Sequence, residues 1–375
     1  MKRPKVFFTS TVFSSNELGL NERIDTKLRE EILELWDTIN SIADVKVYDG
    51  RFPTKEEIAK IIKNFDPNFI GCHLSHEITA DMLSDSNVYG ISTSTAGFNH
   101  IERPEQDNIL ITHTPGVLHE TVADYTIALI MANLRNLIDL HNYVWNEQWD
   151  PEEKWDLDQN LSSVINNKKV GIVGLGEIGS ELMKRLYLWG MKIMYYDIQR
   201  FPKIEKLHPG LEFKENLEDL FAEADVVSLH IPLNKHTEKL IDKRYLKLMK
   251  KNALLVNTAR GGILQFEDLL DLLENDEIDI NLAFDVYPEE PIEPTLLKRF
   301  KELKKRKPKM RIIFCPHNAS ADADTRGKMD IIFLKDLIGL IKSSKKKDLK
   351  HLNIIPPHKN DLLKRNWKIV EYWED

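Results

Sequence analysis

Short apolar runs alternate with amphipathic stretches through the first hundred residues of the chain. The apolar runs fall at residues 6–9, 45–48 and 69–74, and helix-like stretches occupy residues 22–39 and 55–64 between them. Strands that alternate with helices predict βαβ units, and such units build a parallel sheet. Further runs at residues 88–92 and 109–112 continue the pattern. We therefore predict an α/β unit with a parallel sheet at the beginning of the chain.

A second unit is predicted after a break in this pattern at Thr114, Pro115 and Gly116, which we interpret as a hinge between domains. A long helix is predicted over residues 122–140, and it is apolar around more of its circumference than a surface helix needs. This excess predicts a face that is buried against a partner, with burial inside the monomer as the alternative. Six strand-like runs are counted in the second unit, at residues 170–173, 191–196, 226–231, 253–256, 281–286 and 312–314.

Length and composition narrow the possible classes. With 375 residues and 42% hydrophobic content, the chain fits two domains better than one. A net charge of −8 argues against a nucleic-acid partner, and no run of eighteen apolar residues predicts a membrane span. Cys72 and Cys315 are too few for a disulfide framework or a four-cysteine zinc site. We predict a cytoplasmic protein without a structural metal.

Residues 168–197 show the order strand, tight turn, helix, strand, and the turn contains three glycines. Gly174 turns the chain, Gly176 lets a pyrophosphate approach the backbone, and Gly179 lets the helix pack closely on its strands. Asp197 lies 23 residues after Gly174, close to the roughly 20 expected for an acid that binds the adenosine ribose. The stretch therefore predicts a dinucleotide site, with a glycine-rich turn that binds nothing as the alternative.

Polar residues follow several strands of the second predicted sheet, and in an open α/β sheet ligands bind outside these carboxyl ends. An arginine, acids and a histidine are expected to converge on one edge of the sheet. Each alone is typical of a surface charge, a loop acid or a turn, but together beside a dinucleotide turn they indicate a catalytic site. The segments that carry them are residues 230–232, 257–262, 285–291 and 316–320.

Seven motifs in this order resemble those of the D-isomer-specific 2-hydroxyacid dehydrogenase family, which includes glyoxylate/hydroxypyruvate reductases, D-lactate dehydrogenases and phosphoglycerate dehydrogenases. They lie at residues 96–99, 114–117 with 122–124, 174–179, 230–233, 257–261, 285–291 and 316–317. The resemblance covers roughly residues 6–340. It implies α/β architecture with two doubly wound parallel-sheet domains. A Rossmann-like NAD domain is expected at residues 117–317 and a flavodoxin-like substrate domain at residues 1–116 and 318–350, while residues 351–375 have no assigned role.

The resemblance also implies roles for individual residues. Arg260, Glu290 and His317 occupy the catalytic positions, and Asp285 the position that holds the nicotinamide carboxamide. Substrate-binding positions are Arg260 and His317, with the backbone amides at Ala96 and Gly97 and, as a further candidate, His73. For His73 the alternative is a histidine merely exposed in a loop. The residues expected to bind the cofactor are Gly174, Gly176, Glu177, Ile178, Gly179, Asp197, His230, Ile231, Pro232, Thr258, Ala259, Arg260, Asp285 and His317.

The residue types suit hydride transfer between NAD and a small D-2-hydroxy acid or 2-keto acid, such as glyoxylate or hydroxypyruvate. His317 can exchange a proton near neutral pH, and Glu290 would orient it. Arg260 has a planar fork that can bind a carboxylate. Asp197 favours NAD over NADP, although Arg200 stands three residues away.

Two expectations complete the sequence-based picture. The family resemblance points to a homodimer that forms through the cofactor domain. An NAD(H)-sensing binding protein of the corepressor type, on the same fold, is the alternative to an enzyme.

Overall fold

The computed structural model describes residues 3–19, 21–102, 108–150, 152 and 160–374. The chain divides into two compact units. Unit 1 comprises residues 1–118 and 321–375, and unit 2 comprises residues 119–320. The chain thus leaves the first unit, builds the second and then returns.

In the part of the chain that the structure describes, twelve strands form two sheets, and every pairing between neighbouring strands is parallel. In chain order they are β1 (Lys5–Phe8), β2 (Asp44–Val47), β3 (Phe69–Cys72), β4 (Gly90–Thr93), β5 (Leu110–Thr112), β6 (Lys169–Val173), β7 (Lys192–Tyr196), β8 (Glu212–Phe213), β9 (Val226–Leu229), β10 (Leu254–Asn257), β11 (Asn281–Phe284) and β12 (Ile312–Phe314).

Fifteen helices are found in the described residues, besides three short 3-10 turns. They are α1 (Ser15–Gly19), α2 (Thr26–Ile42), α3 (Lys55–Phe65), α4 (Ala80–Leu83), α5 (His119–Leu134), α6 (Leu137–Trp145), α7 (Glu177–Leu188), α8 (Pro202–Leu207), α9 (Leu217–Glu223), α10 (Lys243–Leu246), α11 (Phe266–Glu274), α12 (Pro294–Arg306), α13 (Ala323–Lys342), α14 (Pro356–Lys359) and α15 (Ile369–Glu374). None of these described helices is long and apolar enough to cross a bilayer.

Unit 1 is built on the strand order β2-β1-β3-β4-β5, which is the flavodoxin-like order. Its β3 and β4 are buried at every position, as expected for strands covered on both faces. One core cluster joins Phe8 of β1, Trp36 of α2 and Phe333 of α13. Gly71 has no side chain because Phe8 and Phe333 already occupy the space beside it.

Unit 2 is built on the order β12-β11-β10-β9-β6-β7-β8. Counted from β6, this is the 3-2-1-4-5-6 order of a Rossmann fold with one further strand. The order reverses between β6 and β9, so the turns that follow these two strands flank the crevice where such sheets bind ligands. The predicted fold class, two doubly wound parallel-sheet domains, is confirmed.

Two details of the prediction for unit 2 are wrong. The helix predicted over residues 122–140 is in fact two helices, because Asn136, the N-cap of α6, has a left-handed backbone with φ 55°. Asparagine tolerates this conformation better than most residues. The sheet has seven strands rather than six, since the two-residue edge strand β8 is too short to give a hydrophobic pattern.

Among the described residues, the large exposed apolar side chains of the predicted helix lie on its last part, which belongs to α6, and not on α5. Eight residues of α5 are buried, and this helix packs on α7, β10 and β11 inside its own unit. In contrast, α6 has no buried residue among those described. Its exposed apolar side chains are Leu137, Ile138, Val144 and Trp145.

The C-terminal segment, residues 351–374, had no role assigned from its sequence, and it packs within unit 1. Asn353 accepts a hydrogen bond from the His113 backbone at 2.9 Å, and the Ile355 backbone donates to Ile111 at 3.0 Å. Trp367 and Ile369 are buried in the same cluster as the core of β1 and α13. The segment therefore covers the β5 edge of the sheet.

Candidate active site

A histidine and a carboxylate from two neighbouring strand ends form a direct pair in unit 2. His317 follows β12 and Glu290 follows β11, and the His317 Nδ1 atom lies 2.5 Å from Glu290 Oε2. The other carboxylate oxygen, Oε1, accepts a hydrogen bond from the Tyr287 backbone at 3.1 Å. Because a carboxylate accepts, Nδ1 carries the shared proton, and Nε2 is the nitrogen that can exchange a proton with a substrate.

Asp285 fixes the turn that presents this histidine. Its carboxylate oxygens accept from the Asn318 and Ala319 backbones at 2.8 Å each, and its carbonyl accepts from the His317 backbone at 2.8 Å. His317 has a left-handed backbone with φ 55°, which is costly for residues other than glycine. The three bonds to Asp285 offset this cost. Sequence reasoning placed Asp285 in the site but did not find this positioning role.

Arg260 lies on the loop after β10, and the side chain of Asn257 shapes that loop. Asn257 donates to the Arg260 carbonyl at 3.0 Å and accepts from the Ala259 backbone at 3.0 Å. The guanidinium donates to the Ala259 carbonyl at 2.7 Å. On the same loop, the buried Thr258 hydroxyl lies 3.0 Å from that of Thr126 in α5.

Gly261 explains why the arginine loop and the acid loop lie together. A Cβ atom at this position would come within 1.9 Å of the Tyr287 backbone carbon, so only glycine permits the approach. Tyr287 in turn donates its hydroxyl to the Cys315 carbonyl at 2.9 Å, beside β12. The glycine at position 261 is the sequence signal that could have indicated this contact.

The pKa of Glu290 depends on burial and on two neighbouring basic side chains, His317 and Arg260. Burial acts to raise the pKa of Glu290, but the hydrogen bond and charge of His317, and the charge of Arg260, lower it below its ordinary value. Burial lowers the pKa of Arg260, while the charge of Glu290 opposes that effect. Burial raises the pKa of Asp285, although the hydrogen bonds from the Asn318 and Ala319 backbones act to lower it. Glu290 is therefore an anion at neutral pH.

The glycine turn between β6 and α7 has the features of a phosphate site. Gly174 has φ +95°, and a Cβ there would lie 2.8 Å from the His230 carbonyl oxygen. At Gly179 a Cβ would lie 2.1 Å from the Gly174 carbonyl oxygen, whereas one at Gly176 would meet nothing within 4 Å. Gly176 is therefore not required by packing among the described residues, and its open side fits a ligand. Glu177 and Ile178 begin α7, whose N-cap has no side-chain bond.

Asp197 and the segment after β9 border this turn. Asp197 Oδ2 accepts from the Leu175 backbone at 2.8 Å, which ties the acid to the glycine turn. The His230 N–H donates to the Val173 carbonyl at 2.8 Å. The Nε2 atom of the His230 ring lies 2.7 Å from the Ser228 hydroxyl. Burial lowers the pKa of His230 to about 4, so the ring is neutral. Ile231 packs against the core beside it, and Pro232 follows.

The substrate residues expected in unit 1 lie after β3 and β4. The carbonyl of Ala96 accepts from His113 Nδ1 at 2.8 Å, and that of Gly97 accepts from the Thr95 hydroxyl at 2.5 Å. No described residue accepts a hydrogen bond from the N–H of Ala96 or Gly97. The loop is therefore held through its carbonyls, and its two amides can receive an anion.

His73 is half-buried after β3 and is not the simple exposed loop residue of the alternative interpretation. Its ring lies 3.9 Å from the ring of His76, and its Nδ1 accepts from the Ser75 backbone at 3.3 Å. Burial, together with the charges of His76, His100 and Arg326, lowers the pKa of His73 to about 3. The side chain is thus a neutral hydrogen-bonding group rather than a cation.

A buried acid beneath the Ala96 loop was missed by sequence reasoning. Asp330 of α13 is 8% exposed, and its Oδ1 accepts from the Ser94 hydroxyl at 3.1 Å. Burial raises the pKa of Asp330 to about 7. An aspartate on an amphipathic helix gives no sequence signal, because its burial depends on how the helix packs.

Comparisons with known proteins agree with this geometry. The family model described as "D-isomer specific 2-hydroxyacid dehydrogenase, NAD binding domain" matches residues 127–319. A glyoxylate reductase of Thermofilum pendens is 34% identical over 348 residues, which is 91% of this chain and 93% of that protein. One of Aeropyrum pernix is 35% identical and covers 90% and 93% of the two chains.

Solved structures show the same fold. The TT0316 protein of Thermus thermophilus superposes with a TM-score of 0.72 at 26% identity, covering 94% of this chain and 99% of that one. A D-lactate dehydrogenase of Aquifex aeolicus, solved with NAD and lactic acid, gives 0.71 at 23% identity and covers 93% and 98%. The fold, the family match across most of unit 2 and the two relatives confirm the resemblance drawn from the motifs: the chain belongs to the D-isomer-specific 2-hydroxyacid dehydrogenases and is an NAD-dependent oxidoreductase.

Proposed function

We propose that this enzyme reduces a small 2-keto acid, glyoxylate or hydroxypyruvate, to the D-2-hydroxy acid with NADH. The observation that carries the proposal is the His317–Glu290 pair at 2.5 Å, together with the charge of Arg260, which acts to lower the pKa of Glu290. Relatives that align with at least 90% of this chain are named glyoxylate reductases, which supports the substrate. They do not favour the alternative of an NAD(H)-sensing corepressor-type protein.

In this proposal three side chains perform the proton transfer and hold the substrate. His317 gives a proton from Nε2 to the carbonyl oxygen while Glu290 stabilises the charged ring through Nδ1. Arg260 binds the carboxylate and polarises the carbonyl through its planar fork. The bound nicotinamide supplies the hydride. In the oxidative direction His317 takes the hydroxyl proton instead.

The cofactor roles belong to the same proposal. The backbone of residues 174–179 would hold the pyrophosphate, and the Asp197 carboxylate the ribose. Residues 230–232, Thr258 and Ala259 would line the rest of the NAD-binding site. Asp285 would contact the nicotinamide carboxamide, in addition to its role in positioning His317. Residues 117–317 would then be the NAD domain, and residues 1–116 with 318–350 the substrate domain.

The substrate class follows from the two unit 1 loops. The free amides of Ala96 and Gly97 would bind the substrate carboxylate. His73 would meet the other end of the substrate, and because it is neutral it favours an aldehyde or hydroxymethyl group over a phosphate. The proposed substrates are therefore glyoxylate and hydroxypyruvate.

A substrate panel with the purified chain tests this function. Initial rates with glyoxylate, hydroxypyruvate, pyruvate and phenylpyruvate should be measured with NADH and with NADPH. We expect the highest kcat/KM for one of the first two with NADH. Activity only on the aromatic keto acid would contradict the proposed substrate, and equal efficiency with NADPH would contradict the cofactor preference.

We also propose a homodimer that forms through α6. Exposed apolar side chains on this helix, including Trp145 at 76%, would be covered by a second copy. Light scattering at micromolar concentration should give twice the chain mass, and Trp145→Asp should give the monomer. A monomeric wild type would refute the dimer.

A cytoplasmic location completes the proposal. Both cysteines are free thiols, which suits a reducing compartment. Fractionation of the source cells should recover the protein with cytoplasmic markers.

A further inference from the structure

Arg200 is a cation on the loop after β7, three residues beyond Asp197. In dinucleotide-binding folds an arginine near this acid position accommodates the 2′-phosphate of NADP. Its side chain is 58% exposed, and it is therefore accessible from solvent. By position alone, Arg200 would help the chain to accept NADP.

The guanidinium is held by a second carboxylate. Arg200 Nε lies 2.9 Å from Glu205 Oε1, and Nη2 lies 2.7 Å from Oε2, so the ion pair is bidentate. A bidentate pair of this kind fixes the orientation of the guanidinium and also compensates its charge. The Arg200 guanidinium also lies 5.7 Å from the centre of the Phe213 ring.

Glu205 itself is firmly anchored. Its side chain is only 15% exposed, and Oε1 accepts from the Tyr195 hydroxyl at 2.7 Å. The same hydroxyl accepts from the Phe201 backbone at 2.8 Å, and Tyr195 is fully buried in β7. The bond from Arg200 and that from Tyr195 lower the pKa of Glu205. Glu205 is thus a fixed anion that Arg200 must leave in order to reach a ligand.

We propose that Glu205 is a specificity-determining residue that holds Arg200 away from the adenosine ribose and thereby selects NAD. Discrimination against the 2′-phosphate then has two parts. Asp197 repels the phosphate directly, and Glu205 withholds the cation that would bind it. The inference rests on the proposed role of Asp197 at the ribose.

Equilibrium binding tests the inference without any turnover. Adenosine 5′-diphosphate and adenosine 2′,5′-bisphosphate are titrated calorimetrically into the full chain carrying Asp197→Ser, alone and with Glu205→Gln. The glutamine keeps an acceptor for Tyr195 and loses the charge that holds Arg200. We expect the double variant to bind the 2′,5′-bisphosphate about tenfold more tightly than Asp197→Ser, equivalent to ~1.4 kcal/mol. Binding of the 5′-diphosphate should change less than twofold between the two.

Two controls separate release of Arg200 from a general change in charge. Glu212→Gln removes one negative charge on the adjacent strand β8, where Glu212 pairs with Lys214, and should give no gain. Adding Arg200→Gln to the double variant should abolish the gain. Thermal unfolding of each variant confirms that it is folded.

Each outcome bears on one of the two claims. No gain from Glu205→Gln, or an equal gain from Glu212→Gln, would overturn the role of Glu205 while leaving the proposed ribose site intact. If Asp197→Ser left binding of NAD and of the 5′-diphosphate unchanged, the proposed ribose role of Asp197 would be wrong and the inference would fall with it.

Discussion

At the scale of single residues, the side chains proposed to react differ from those that hold the loops of the site in place. His317 and Glu290 form the pair that we propose to transfer the proton. Asp285 holds the turn that carries His317, and Asn257 holds the loop that carries Arg260, in both cases through hydrogen bonds to the backbone. A supporting residue of this kind acts without touching the substrate. Its loss moves the catalytic group by a fraction of an ångström, which is enough to slow an oriented reaction.

Substitution of either partner tests the pair directly. Glu290→Gln keeps the size of the side chain and removes the carboxylate that holds His317 through Nδ1. Because the imidazole is then less well oriented, kcat should fall for keto-acid reduction and for hydroxy-acid oxidation. His317→Asn should lower kcat further, by a factor of ~10² to 10⁴. Titration of NAD by fluorescence should give nearly the wild-type affinity in both variants. An unchanged kcat in Glu290→Gln, with chemistry rate-limiting, would make Glu289 the next candidate.

Asp330 makes a separate prediction about stability. Burial raises its pKa to about 7, above the ordinary ~3.9 of the unfolded chain, so the folded state holds the proton more tightly. The contribution of this group to stability therefore falls as pH rises from about 4 to about 7, and stays low above that. Asp330→Asn can still accept from Ser94 and removes this dependence. Its unfolding midpoint relative to wild type should rise across that interval, and a constant difference would contradict the assignment.

At the scale of elements, the turn between β6 and α7 uses its glycines for different purposes. Packing explains Gly174 and Gly179, whose absent side chains make room for the His230 and Gly174 carbonyls. Packing does not explain Gly176, beside which the described residues leave open space. The physical account of Gly176 is a ligand that approaches the backbone.

Two alanine substitutions separate these purposes. Gly179→Ala should lower the unfolding midpoint, because its Cβ would lie 2.1 Å from the Gly174 carbonyl oxygen. Gly176→Ala should leave that midpoint nearly unchanged and weaken NAD binding. Differential scanning fluorimetry with and without NAD measures both effects. Unaltered NAD affinity in Gly176→Ala would show that the pyrophosphate does not approach this residue.

At the scale of the whole molecule, periodicity was enough to predict both parallel sheets. The strand ends indicated a group of polar residues at one edge, and the family resemblance was needed to assign catalytic positions to Arg260, Glu290 and His317. Side-chain contacts and local backbone conformations that leave the hydrophobic pattern unchanged could not be predicted. The bidentate pair of Arg200 and Glu205 depends on the turn into α8. The burial of Asp330 depends on the packing of α13, and the break at Asn136 is a single left-handed residue that leaves the apolar pattern intact.

The packing of the C-terminal segment in unit 1 could not be predicted from the sequence either, because it depends on contacts with residues far away in the chain. Trp367 is 2% exposed, and its Nε1 donates to the Leu362 carbonyl at 2.9 Å. Its side chain belongs to the cluster that contains Phe8 of β1, some 360 residues earlier in the chain. Unit 1 therefore cannot complete its core until the last residues are in place.

Trp367→Ala tests this dependence of the whole chain on its end. Removing a buried tryptophan should lower the free energy of unfolding by about 3–5 kcal/mol. Unit 1 should be the unit that is destabilised, because the side chain packs there. The proposed NAD-binding residues all lie in unit 2, so NAD affinity at low temperature should stay within about twofold of wild type. Urea unfolding followed by hydrogen exchange measures the loss in each unit. Phe52→Ala is the matched control, since Phe52 also lies in unit 1 and is 75% exposed, so its loss should cost the folded chain little. Equal destabilisation by both substitutions, or a loss confined to unit 2, would show that the C-terminal segment does not complete the core of unit 1.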